Sequence, residues 1–112
     1  MTTKGSPTTL VHSVYFALKD KSDLAIEHFI AQCDKYLADH PGIEYYFAGR
    51  HVADLDRSVN DDRFDVALLV VFQDRSSHDV YQTADMHNEF IEKTRDGWEE
   101  VRVFDAAGGG EA

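Results

Sequence analysis

Residues 64–73 read FDVALLVVFQ, and seven consecutive apolar side chains, VALLVVF, sit inside them. No other stretch constrains the fold as tightly. Successive side chains of a strand point to opposite faces, so a half-solvated strand alternates apolar with polar residues. An unbroken apolar strand meets apolar surroundings on both faces and belongs at the centre of a sheet. Seven residues are also far too few to cross a membrane as a helix.

The other elements arrange themselves around that strand. TLVHSVYFAL, over about residues 9–18, is rich in β-branched and aromatic residues and reads as a first strand. Ser22 then has the chemistry of a helix N-cap. Leu24, Ile26, Phe29, Ile30, Cys33, Tyr36 and Leu37 follow at three- and four-residue steps, and His40-Pro41-Gly42 ends the helix. IEYYFAGRHV reads as a second strand, and DLDRSVNDDR as a charged loop before the apolar third strand. RSSHDVYQTADMHNEFIEKTR is helical, with SSHD as a capping-box-like start and a restart near Thr83 or Asp85. EVRVFD is the last strand. The domain spans residues 9–105, with 1–8 and the Gly-rich 106–112 as flexible ends.

Strand, helix, strand, strand, helices, strand within about 100 residues gives an α+β, ferredoxin-like protomer: a four-stranded antiparallel sheet with helices on one face. One sheet face is then left bare. In the first strand Val11, Tyr15 and Ala17 point opposite to His12, Val14, Phe16 and Leu18, and in the third both parities are apolar. The simplest cover is a second copy, so a homodimer through the sheet faces is expected.

Charge narrows the partners. Lys and Arg number 11 against 21 Asp and Glu, a formal net charge of −10, the reverse of the basic footprint that phosphate backbones and anionic lipid require. No nucleic-acid or membrane partner is expected, and with no signal-peptide pattern in MTTKGSPTT the location expected is cytoplasmic. The single cysteine, Cys33, lies on the apolar stripe and reads as core.

LVHSVYFAL with its early histidine, the glycine in YYFAGRHV, the apolar third strand, VYQTADMHNEF and the closing VRVFD together resemble the stress-responsive A/B barrel (Dabb) family over about residues 9–105. The resemblance implies a ferredoxin-like protomer that dimerises into an α+β barrel. Most members have no assigned reaction. A plant branch acts as polyketide cyclase through a tyrosine and a histidine spaced like Tyr81 and His87, near a strand histidine matching His12. Where the family commonly has HPAH, this chain has TADMH.

The residues carry their own chemistry beside that resemblance. His87 shares a helical face with Ile91, so its ring leans towards the sheet, where a partly buried imidazole suits a general base. Tyr81 suits a hydrogen-bond donor to developing negative charge. Both also fit plain core packing. His12, Val14 and Phe16 share the helix-covered face and, with Ile91, are candidate ligand-lining residues. No metal is assigned: His12 and His87 lack an HxH motif or carboxylate cluster, and the acidic loop lacks EF-hand spacing. His28, His40, His51 and His78 read as solvent-facing. Gly-rich phosphate cradles, nucleophile elbows and CxxC are missing from the sequence, so no cofactor is expected.

Two readings follow. The preferred one is a homodimer of unassigned activity, stress-related or binding a small apolar molecule between helices and sheet. The alternative is a cofactor-free enzyme of polyketide-cyclase type, with His87 as base and Tyr81 as donor. An open cavity reaching both residues would favour the second.

Overall fold

The run VALLVVF forms β3 (Val66–Phe72) in the interior of a four-stranded sheet. A computed structural model describes residues 2–109. β1 (Leu10–Leu18), α1 (Asp23–Leu37) and β2 (Ile43–Arg50) precede β3; α2 (Arg75–Thr83), α3 (Asp85–Thr94), a 3₁₀ turn (Arg95–Gly97) and β4 (Trp98–Ala107) follow it. The strand order is β2-β3-β1-β4, with every neighbouring pair antiparallel. This is the ferredoxin-like arrangement.

Strand parity divides the two faces. Leu10, His12, Val14, Phe16 and Leu18 of β1, with Val66, Leu68, Val70 and Phe72 of β3, are buried beneath the helices. From α1 come Ile26, Phe29, Cys33, Tyr36 and Leu37, and from α3 Phe90. Phe16, Phe29 and Phe90 meet edge to face at centroid distances of 4.8–6.2 Å, an arrangement that adds electrostatic complementarity to the area they bury. Val11, Tyr15, Leu69 and Val71 point the other way and are half-exposed, while Phe47 and Phe104 on the same side are 48% and 55% exposed. Among the described residues no helix covers this largely apolar sheet face, and only the 59–64 stretch lies against part of it.

The caps show where local chemistry prevailed. Ser22 Oγ accepts from the Ala25 N–H at 3.2 Å, as an N-cap should. α2 begins earlier than SSHD suggests, because Asp74 is the cap and its carboxylate accepts from the Ser77 N–H at 2.9 Å. Gly42 takes φ +85° where the chain leaves α1 for β2. β4 is longer than EVRVFD at both ends. It takes in Ala106 and Ala107, two residues of the expected tail, paired with Val11 and Leu10. Ser6, within the expected flexible start, accepts at its carbonyl from the N–H of Thr9, the first residue of the expected domain, at 3.1 Å. Of the two expected flexible ends, Met1 and residues 110–112 lie outside the described residues.

Candidate active site

The helical layer is interrupted at Ala84, whose extended backbone (φ −67°, ψ 145°) closes α2 and starts α3. That break decides the geometry. Tyr81 in the last turn of α2 and His87 in the first turn of α3 are brought ring to ring, with centroids 4.8 Å apart and planes at 67°. His12 arrives from β1, its ring 6.0 Å from Tyr81. His40, just beyond α1, lies 5.1 Å from the same phenol, with Nε2 donating to the Tyr36 carbonyl at 2.8 Å.

A cavity of about 280 Å³ lies between helices and sheet at this point, lined by His12, Val14, Phe16, Tyr81, His87 and Ile91 among others. These are the six residues singled out from sequence. The cavity opens to solvent, and its size falls at the small end of typical ligand pockets. Most of the wall is apolar.

Burial sets the protonation states. It pushes the His87 imidazole down to about 4, and the neighbouring His12, His40 and His78 add to the effect, so His87 is neutral near pH 7. Its Nδ1 is buried with no hydrogen-bond partner among the described residues. Burial also raises the Tyr81 hydroxyl above the ordinary phenol value, Cys33 being a lesser cause, so Tyr81 is a neutral donor. The Cys33 thiol, pushed up to about 12 chiefly by burial, is held protonated and inert.

Asp105 and His78 line the cavity, and His40 lies behind Tyr81, though none of them was singled out as a site residue. Asp105 Oδ1 accepts from His12 Nδ1 at 2.6 Å. A carboxylate can only accept, so this contact places the His12 proton on Nδ1 and leaves Nε2 as acceptor towards the Gln82 amide at 3.5 Å. His78, expected at the surface, has a side chain only 15% exposed, with its ring 5.3 Å from His12. His40, also expected in solvent, is half-buried against Tyr81. The signals were present but weak. His78 precedes Tyr81 by three residues and Gln82 by four, which puts all three on one helical face. Asp105 shares strand parity with Val101 and Val103, so it is a charge on an otherwise inward apolar row.

A family model described as the Stress Responsive A/B Barrel Domain matches residues 10–107. The chain belongs to that family. Among solved structures, a Dabb family protein with a ferredoxin-like fold from Mesorhizobium loti superposes with a TM-score of 0.75 at 20% identity, over 89% of this chain and 96% of the other. A dimeric ferredoxin-like protein of unknown function from Thermobifida fusca gives 0.73 at 16% identity, covering 93% and 94%. The hydroxynitrile lyase of Passiflora edulis gives 0.72 at 20% identity, covering 91% and 94%. At such identities the likeness is one of fold. No curated protein matches the sequence. Among the described residues no helix of this Dabb protein is long and apolar enough to cross a membrane.

Proposed function

We propose that this Dabb protein is a homodimer, joined through the bare faces of its sheets, whose cavities each bind a small, mostly apolar carbonyl compound and remove a proton beside the carbonyl without a cofactor. One observation carries the reading: an open cavity of about 280 Å³ reaches both Tyr81 and a neutral, unpartnered His87. Side chains filling that volume would instead have left plain packing as the explanation. The dimeric state named for the Thermobifida fusca protein and the exposed Phe47 and Phe104 support the assembly. The Passiflora edulis protein, named as a lyase, is a catalyst built on a similar frame and supports an enzymatic reading.

In the reaction, the carbon–hydrogen bond beside the carbonyl breaks and its proton passes to the His87 imidazole. The electron pair moves into the enolate, whose oxygen takes a hydrogen bond from the Tyr81 hydroxyl. An imidazole with so low a pKa is a weak base in the empty cavity. Negative charge developing on the substrate opposes that depression as the proton moves. The His12–Asp105 pair lines the same cavity as the His87 ring, with the Nε2 acceptor of His12 fixed in orientation. The enolate can then attack a second carbonyl of the same molecule, closing a ring, or recover a proton.

The test follows deuterium exchange from solvent into a panel of β-dicarbonyl and methyl-ketone aromatics by NMR. Wild type is expected to accelerate exchange, and His87→Ala to lose on the order of 100- to 10,000-fold while keeping its circular dichroism spectrum. Binding of the panel without exchange would leave only a carrier. An unfolded His87→Ala protein would make His87 a packing residue.

A further inference from the structure

His12 on β1, Asp105 on β4 and His78 in the first turns of α2 are distant in sequence, yet one ligand atom from each lies within 4.8 Å of the others. We propose that these three side chains form a binding site for a borderline divalent transition ion of the Zn²⁺ class. Two imidazoles and a carboxylate suit such an ion, whereas Mg²⁺ and Ca²⁺ take oxygen ligands. Three protein ligands leave a fourth coordination position for a water, and the ion has no part in the proton removal by His87 proposed above.

The details around the three groups support ligation. His12 Nδ1 and Asp105 Oδ1 are 2.6 Å apart, with a proton between them whose place the ion takes, as metals displace protons from their ligands. Ligand bonds of about 2.0–2.2 Å in a tetrahedral set put the two atoms roughly 3.4 Å apart. From 2.6 Å that is a shift of about 0.8 Å, within reach of a rotation of a carboxylate that is 45% exposed. His78 Nδ1 faces Asp79 Oδ1 at 3.0 Å, and Arg75 Nε donates to the same oxygen at 2.9 Å. A carboxylate behind an imidazole fixes its tautomer and ring orientation, the usual support for a ligating histidine. It leaves Nε2 as the free donor atom. His12, His78 and Asp105 all line the cavity that holds Tyr81 and His87. His87 is not a member of the set, and the sequence pattern of the site, with each ligand on a different element, has no short ligand motif to betray it.

The experiment is titration of the full-length, chelator-treated protein with Zn²⁺ by calorimetry, and with Co²⁺ by visible absorption. One ion per chain is expected, with affinity unaffected by excess Mg²⁺. His78→Ala and Asp105→Asn should each weaken binding by at least about tenfold, and Asp79→Asn by roughly tenfold through the imidazole it supports. His28→Ala, at an exposed site, and His87→Ala should bind as wild type does. His78→Gln serves if the alanine variant misfolds. Absence of stoichiometric binding at micromolar protein overturns the proposal. So does binding that survives at His78 and Asp105 variants, or that is lost in His87→Ala.

Discussion

Replacing His87 by phenylalanine should make the protein more stable. His87 Nδ1 is buried without a partner among the described residues, and an unsatisfied buried polar group costs about 1–3 kcal/mol. Phenylalanine removes that atom and keeps the edge contact with Tyr81, whose centroid lies 4.8 Å away. The adjoining cavity of about 280 Å³ gives the slightly larger ring room. The net gain is about 1 kcal/mol, since the cavity is open and part of the imidazole stays hydrated; that raises Tm by about 4 °C for a domain of this size. The pH dependence has a definite sign. The folded-state pKa of His87 is lowered from 6.5 to about 4, so the unfolded chain takes the proton first. The stability associated with a neutral His87 is complete above about pH 6.5 and is lost as pH falls towards 4. The advantage of His87→Phe should therefore grow across that window. Thermal denaturation of both proteins at one fixed concentration, at several pH values from about 7 down to 4.5, reads out both effects. If His87→Phe instead loses stability, as Phe90→Ala should by about 3–5 kcal/mol, His87 is a packing residue and the catalytic reading loses its ground. A gain independent of pH would refute the account of its protonation.

Two further outcomes follow from the fold. Tyr15 lies on the bare face, 5.1 Å from Phe64 and 5.8 Å from Phe104 by ring centroids; Tyr15→Asp should shift the light-scattering mass from dimer towards monomer or aggregate, because sheet-face interfaces of this kind bury upwards of about 2,000 Å², and a wild type that is already monomeric at low micromolar concentration would sink the dimer. Gly42→Ala should cost roughly 1–3 kcal/mol in urea denaturation, because φ is +85° and the added Cβ would strike the side chain of Ser77; an unchanged midpoint would contradict the turn described between α1 and β2.

The sheet was legible because parity is a strong signal. Apolar residues at both parities of VALLVVF placed β3 inside the sheet, and it pairs with β2 on one side and β1 on the other. Element ends were less legible, for local reasons. Asp74 captured the α2 cap from the serines that follow it because its carboxylate reaches the Ser77 N–H. β4 overran its expected end because Ala106 and Ala107 found partners on β1, which no composition rule could register in a stretch of small residues.

The site divides along the same line. Tyr81, His87 and Ile91 sit on two short helices close in sequence, so helical phase and the one interruption at Ala84 were enough to bring them onto one wall. Asp105 stands 93 positions from His12 in the chain, and only the β1–β4 register, which sets the two opposite each other, makes them a pair. A one-residue slip in that register would turn Asp105 to the bare face and leave a buried His12 without its acceptor. The pair is therefore a product of strand alignment. The register shift in the β1–β4 ladder falls between Ala17 and Leu18, at the end far from His12. Between His12 and that shift the ladder runs without interruption through Val14↔Val103 and Phe16↔Val101. Of the β4 valines on the face of Asp105, Val101 packs against the core while Val103 stays 51% exposed beside the cavity. The strand register thus sets the carboxylate against the imidazole, and the chemistry of the cavity is inherited from the alignment of its wall.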